Sequence, residues 1–268
     1  MKKVKYVYVI LVYRNTNDLE ECLASIKEKV NSYAVVVVNA FYNKETDAVV
    51  EKIAYQYQCD LINIENKGYS FGNNAGIDFA RQKYDFEYVV VSNPDITIAK
   101  FDDSTLSSLP KTVIVAPKIT AASGRLQNPM SISYSKVSDY LEYVGFKKNQ
   151  KVFVYVGIYL SKIKRTFWTI LSKLRGKKVY RIYGAHGSHV IMSMDAVNKL
   201  WPVYDDNIFL FAEEGVLAKK AQKLGILTYY YDHIQILHKE DGSMKLSNLS
   251  LNNELKKANI YYYETYVK

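Results

Sequence analysis

Apolar residues fall in short dense runs separated by polar, helix-periodic stretches. Val4 to Tyr13, rich in Val and Tyr, has the continuous hydrophobicity of a strand buried on both faces. Asn15 to Asp18 follow, with Glu20 three residues after Asn17, which predicts a capping-box start for a helix carrying Leu19, Cys22, Leu23 and Ile26 at helical spacing. Val35–Val38 and Leu61–Ile64 read as strands around a helix over Thr46–Tyr57. The loop Asn66–Gly72 runs into a helix through Ala80, and Tyr88–Ser92 is a strand stopped by Asn93-Pro94. Strands alternating with helices predict an α/β fold: a Rossmann-like, mostly parallel central sheet with helices on both faces. After residue 110 the pattern loosens. Val113–Ala116, Val190–Met194 and Tyr229–Leu237 are strand-like, Phe209–Leu224 reads as a helix stopped by Gly225, and the tail from Leu246 has mixed helical character.

In such sheets ligands bind beyond the carboxyl ends of the strands. Asn15, Asn39, Asn66 and Asp95 all fall just past predicted strand ends, the first sign of a site. No Pro/Gly/Ser-rich linker or internal repeat divides the 268 residues. The expected organisation is a nucleotide-binding half over 1–110, a second half of the same domain over 111–245, and a tail over 246–268.

Charge is concentrated. The chain carries a net +9, yet Lys147 to Met194 holds eleven Lys/Arg and no acidic residue, leaving 25 basic and 27 acidic residues elsewhere. Within the basic segment, 147–181, Lys162, Lys164, Arg165, Lys173, Arg175, Lys177 and Lys178 interleave with Ile163, Phe167, Trp168, Ile170, Leu171 and Leu174 at helical spacing. That pattern suits contact with an anionic membrane surface, or a solvated helix packed on the body. The first residues, Met1-Lys-Lys-Val-Lys5 and a short apolar run ending at Arg14-Asn15, do not read as a secretory leader, and no apolar stretch approaches the ~20 residues of a spanning helix. Only Cys22 and Cys59 are present, which excludes a disulfide framework. A cytoplasmic setting is expected, with the membrane's inner face as an option.

Four motifs carry candidate chemistry. Asn93-Pro94-Asp95 puts one carboxylate at a strand tip, suited to a divalent cation over a diphosphate, or simply ends the strand as an Asx-Pro turn. Asn66-Lys-Gly-Tyr-Ser-Phe-Gly-Asn-Asn-Ala-Gly76 offers amides and backbone N–H groups, but matches neither the dinucleotide nor the P-loop pattern. Glu213-Glu214 follows Asp205-Asp206-Asn207 and the aromatic, apolar run Ile208–Ala212, where burial and mutual repulsion raise one carboxyl into the range of a general base, unless both face solvent on an amphipathic helix. His238 follows a strand, as a metal ligand, a phosphate donor or a structural residue, and His186-Gly187-Ser188-His189 forms a further polar cluster.

The order of these elements resembles the inverting family 2 glycosyltransferases of the GT-A fold, particularly the rhamnosyltransferase-like branch that builds bacterial surface polysaccharides. The resemblance lies in Val12-Tyr13-Arg14-Asn15, in the Asn66–Gly76 loop, in Ser92-Asn93-Pro94-Asp95, in Phe209–Glu214 with Gly225, and in His238 with Ser243. It implies that Tyr13 and Asn15 border a nucleotide base with Asn39 nearby, and that Asn66, Gly68, Asn73 and Asn74, with Asn93, frame the nucleoside and sugar. It further implies that Asp95, helped by His238, holds Mg²⁺ or Mn²⁺, and that Glu214, or in second place Glu213, is the catalytic base. The implied donor is a dTDP- or UDP-sugar, and the implied acceptor a glycan or lipid-linked glycan. The sequence departs from the family where the second strand ends in Asn39-Ala40 instead of Asp-Asn, and where Val216 replaces a further acid.

Two rivals fit less well. A nucleic-acid binder would show a recognisable module with cations and aromatics across a face, and none is found, so nucleic acid is not an expected partner. A sugar nucleotidyltransferase would carry a Gly-rich, Arg-containing loop after the first strand, where Arg14-Asn15-Thr16-Asn17 stands instead. A transferase-like binding protein without activity is disfavoured by the presence of Asp95 and Glu214.

Overall fold

The computed structural model describes residues 1–14, 16–240 and 250–268. Asn15 and Ser243 of the expected motifs lie outside the described residues. The chain builds β1 (Lys2–Val12), α1 (Asn17–Lys29), β2 (Tyr33–Ala40), α2 (Lys44–Gln56), β3 (Asp60–Ile64), α3 (Tyr69–Lys83), β4 (Tyr84–Ser92) and β5 (Ile96–Phe101). It continues with β6 (Val113–Ala121), α4 (Lys136–Lys147), α5 (Lys151–Leu174), β7 (Val179–Ile182), β8 (His189–Ser193), α6 (Met194–Leu200), α7 (Glu213–Lys223), β9 (Leu227–His238) and α8 (Leu251–Tyr262).

Among the described residues the strands form one nine-stranded sheet in the order β3-β2-β1-β4-β8-β6-β9-β5, with β7 on β9. The first four are mutually parallel; β8 runs antiparallel between β4 and β6; β9 is parallel to β6 and antiparallel to β5 and β7. Six strands thus point one way, the mostly parallel α/β sheet the sequence predicted. Strands from both expected halves share it.

The apolar runs are continuous because both faces are covered. Val7 and Val9 of β1 pack with Val36, Val38, Ile77 and Met192 on one face. Tyr6, Tyr8 and Ile10 pack with Leu19, Leu23, Ile26, Val50 and Ile53 on the other. Alternate residues of a strand point to opposite faces, so each face gains fully buried side chains, at roughly 1.5–3 kcal/mol apiece. The tail is not loose: Tyr262, Tyr263 and Val267 join Ile208 and Val216 in a third cluster, and the Tyr261 and Tyr266 hydroxyls donate to Asp205.

Several expectations are corrected. The capping box at Asn17 does not form: α1 has Thr16 at its N-cap, without a side-chain cap bond. The helix expected from Phe209 begins only at Glu213, because Phe211 and Ala212 take left-handed backbone conformations (φ 72° and 62°). The cause lies elsewhere in the chain. The Tyr69 N–H donates to the Phe209 carbonyl at 2.8 Å, which holds the bent 209–212 segment against the start of α3. Strands β5 and β7 and helices α4 and α6 were not anticipated.

Candidate active site

Strand direction explains why distant residues meet. The carboxyl ends of β1, β2, β4, β6 and β9 share one rim of the sheet, and the antiparallel β5 and β8 begin there. Register fixes this: Ser92 lies opposite His189, Ile96 opposite His238, and Ala121 opposite His238. The segments just past Ser92, just before His189 and at the end of β9 are therefore neighbours.

At this rim Asp95 and His238, both buried, face each other with carboxylate Oδ1 to imidazole Nε2 at 3.3 Å. The backbone locks the pair, since the Lys239 N–H donates to the Asp95 carbonyl at 3.0 Å. The other imidazole nitrogen is fixed from behind. Gln127 donates its amide N–H to Glu240 at 2.8 Å, so its carbonyl oxygen is turned to His238 Nδ1, also at 2.8 Å. Nδ1 must then carry hydrogen and donate. In the neutral ring this tautomer turns the Nε2 lone pair to the Asp95 carboxylate; in the charged ring Nε2–H donates to it. Two acceptors in contact require a proton or a cation between or beside them.

The row continues. The His186 ring lies 5.7 Å from that of His238, centroid to centroid. Its backbone N–H donates to Asn128 Oδ1 at 2.8 Å, and its Nδ1 sits 3.0 Å from Ser188 Oγ. Burial holds the imidazole of His186 below its ordinary pKa, with the Glu214 charge pulling the other way. Glu214 accepts from the Gly187 N–H at 3.2 Å, and a Cβ at Gly187 would stand 3.0 Å from that carboxylate oxygen. Tyr69 donates from its hydroxyl to the Gly187 carbonyl at 2.9 Å, which ties α3 into the row. Asp95 meets His238, the His186 ring lies beside His238, and Glu214 is bonded to the next residue, Gly187, so the four are neighbours along the rim although 119 positions separate the two carboxylates.

Both glutamates occupy the first turn of α7, where the helix dipole favours negative charge. They differ in surroundings. Glu213 is buried, and desolvation together with the adjacent Glu214 charge pushes its carboxyl up to about 8. His189 is fully buried and desolvation pulls its pKa down to about 3, so it is a neutral structural partner of Ser92 (3.0 Å).

The amide residues have other engagements. Asn74 donates to the Tyr204 carbonyl (3.0 Å) and Asp206 (2.7 Å) and accepts from the Tyr204 N–H (3.1 Å). Asn73 is buried and donates to the carbonyl of Tyr69 within its own helix. Asn39 donates to Asp47 and to Asn63 (3.0 Å), stitching β2 to α2 and β3. Asn66 accepts from the Gly68 N–H (3.2 Å). Gly68 has φ +99°, and a Cβ there would lie 2.3 Å from the Phe209 carbonyl oxygen, so the site of closest approach between α3 and the 209–212 segment requires glycine. Asn93 is held by its backbone N–H on the Ser188 carbonyl (2.9 Å). Tyr13 lies edge-on to Tyr42 at 5.8 Å, with the Arg14 guanidinium over both rings. Sequence reasoning missed Gln127, Asn128 and the linking role of His186; of these, only the His186–His189 cluster carried a signal.

The donor set fits a small divalent cation in part. At 3.3 Å, Asp95 Oδ1 and His238 Nε2 have the spacing of two adjacent ligands on one ion, about 3 Å for ligands at roughly 2.1 Å and right angles. Among the described residues no group of three or more acidic, His or Cys side chains is poised for a metal, so the remaining ligands would be oxygens of a bound diphosphate or water. Two surface depressions lie away from this row, one by Ala24, Lys27 and Tyr57, the other by Lys118, Thr169 and Tyr230. Neither gathers comparable chemistry, so donor geometry and not concavity marks the site.

Solved structures share this architecture. GalNAc-T7, solved with UDP, GalNAc and Mn²⁺, superposes with a TM-score of 0.58 at 12% identity over 88% of this chain and 44% of that one. The mannosyltransferase PcManGT of Pyrobaculum calidifontis, in complex with GDP-Man and Mn²⁺, gives 0.53 at 13% identity, over 98% of this chain and 71% of that one. S. aureus TarS 1–349 gives 0.53 at 10% identity over 98% and 72%. The fold is that of the GT-A-type glycosyltransferases. The chain spans less than half the length of GalNAc-T7. No protein-family model matches the sequence, and no curated protein matches it.

Proposed function

We propose that this chain is an inverting glycosyltransferase of family 2, rhamnosyltransferase-like, that moves a sugar from a dTDP- or UDP-linked donor to a hydroxyl of a glycan acceptor in bacterial surface-polysaccharide synthesis. The observation that carries the reading is the row Asp95–His238–His186–Glu214 at the strand-end rim of a GT-A sheet. In an inverting transfer the acceptor hydroxyl attacks the anomeric carbon opposite the leaving diphosphate, so one group must take a proton and another must meet developing negative charge. The row offers both in sequence.

In this reading Asp95 and His238 would hold Mg²⁺ or Mn²⁺, which would supply positive charge against the departing diphosphate. Gln127, through Nδ1, keeps the His238 lone pair facing the cation side. Glu214 takes the acceptor proton, its carboxylate aimed by the Gly187 N–H. Glu213 stays in second place: its carboxyl is raised to about 8, within the range of a general base, but it is buried, which keeps it from an acceptor hydroxyl. Keeping Glu213 neutral also spares Glu214 a like charge alongside.

The test is a calorimetric screen of nucleotide-sugars with Mn²⁺, followed by proton NMR of the product formed from the hit. Binding of a dTDP- or UDP-sugar and a product of inverted anomeric configuration are expected. A retained configuration refutes the base role of Glu214, and no binding across the panel refutes the donor class.

A further inference from the structure

The α4–α5 hairpin is amphipathic in the reverse sense. In α5, 24 residues or about 36 Å long, the buried and half-buried positions are Val154, Gly157, Ser161, Arg165, Thr169, Leu171 and Ser172, of which only Val154 and Leu171 are apolar side chains. Gly157 is required there, since a Cβ would lie 2.7 Å from Glu142 Cγ and 2.8 Å from the Ser138 carbonyl of α4. The opposite side presents Val156, Tyr159, Ile163, Phe167, Ile170 and Leu174, all exposed, with Phe167 at 61% and Leu174 at 81%. A packed surface helix buries its apolar stripe. This one offers it outward along the full helix.

We propose that this face is a seat for an anionic lipid bilayer, with α5 lying in the interface plane. Charge selects the occupant. Lys162 and Lys164 border the stripe on opposite sides, about 200° apart in helical projection. They belong to the segment with eleven Lys/Arg and no acidic residue. A second copy of the chain on this face would bring like charges together, and a nucleic acid has no use for an apolar stripe. Negatively charged headgroups over acyl chains satisfy both features. Tyr155 and Tyr159, both exposed, supply the amphipathic rings that favour headgroup depth. Among the described residues no helix is long and apolar enough to cross a membrane, so the contact is one of lying on the surface.

The hairpin stems close beside the candidate site. The Ser131 carbonyl accepts from the Tyr183 and Gly184 N–H groups (3.0 and 3.1 Å), and Asn128 and His186 meet a few residues further in. A protein seated by α5 therefore holds its rim near the bilayer, which suits a lipid-linked acceptor; that consequence rests on the glycosyltransferase reading, whereas the bilayer seat does not.

The test is flotation of the full chain with phosphatidylcholine vesicles, with and without phosphatidylglycerol. The wild type is expected to float with the anionic vesicles and not with the neutral ones. Ile163→Glu with Phe167→Glu, both exposed positions, is expected to abolish flotation while thermal unfolding stays cooperative at an unchanged midpoint. Lys162→Gln with Lys164→Gln is expected to weaken partition by about tenfold or more. Absence of binding to anionic vesicles overturns the proposal, as does equal binding of the Glu double variant, or a wild-type dimer that the same substitutions dissociate. Nucleotide binding that survives loss of flotation separates this failure from failure of the enzymatic reading.

Discussion

The Gly68–Asn74 segment and the row from Asp95 to Glu214 lie at the same rim of the sheet, and both are dense in polar side chains, yet they use them differently. In the first, the amides of Asn73 and Asn74 are bound to backbone and to Asp206, and Gly68 fits against the Phe209 carbonyl. Polar residues there fasten α3 to the 204–212 segment. In the second, a carboxylate and an imidazole nitrogen face each other while the supporting hydrogen bonds come from behind, through Gln127, Asn128 and Gly187. The amide nitrogens of the first cluster are spent on the fold, although Asn73 Oδ1 and Ser70 Oγ there are buried without a hydrogen-bond partner among the described residues. A chemically available polar residue is held by one atom and presents another.

Substitutions can separate the two clusters. Glu214→Gln has the largest expected effect: it keeps the Gly187 contact, removes the proton acceptor, and is expected to lower turnover by roughly 10²–10⁴-fold with donor binding preserved. Steady-state rates alongside calorimetry check this; a loss of donor affinity instead would move Glu214 out of the base role. Gln127→Ala comes next. It frees the His238 ring, and Mn²⁺ affinity in the presence of nucleotide diphosphate is expected to fall about 10–100-fold. An unchanged affinity would mean that the ring needs no support from behind.

Asn74→Ala belongs to the other cluster. It strands the Tyr204 backbone groups in a buried setting, at about 1–3 kcal/mol of stability. Urea unfolding is expected to show that loss with donor affinity intact. Weakened donor binding at full stability would erase the distinction between the clusters. Glu213→Gln has an effect that depends on pH. The folded-state pKa, about 8, lies above the ordinary 4.5, so the native state prefers the protonated carboxyl. Its stabilising contribution is present below about 4.5 and is lost as pH rises through 8. Thermal melts across pH 5 to 9 should therefore show the Gln variant gaining on the wild type as pH increases; a constant difference would contradict the buried, raised carboxyl.

The parallel half was legible because its cause is local. Strands covered on both faces must be continuously apolar, and β1, β2 and β4 are. Asp95 and His238 were legible as residues at strand ends, since strand direction alone brings such ends together. Gln127 was not, because its importance comes from the register of β6 beside β9, which carries no local signature. The helix start at Phe209 was misread for a similar reason: the apolar spacing is compatible with helix, but a long-range bond from Tyr69 takes the Phe209 carbonyl. The α5 stripe was visible as a pattern, whereas the side it turns outward depends on Gly157 and Ser138 meeting between α4 and α5.

One calorimetric titration bears most directly on the row as a cation-assisted diphosphate site. Nucleotide diphosphate is titrated into the wild type and into Asp95→Ala, each with and without Mn²⁺. Expected is tight binding only for the wild type with Mn²⁺, and loss of the metal's contribution in the variant. Equal, metal-enhanced affinity in both proteins would contradict the assignment of Asp95 and with it the role of the whole row.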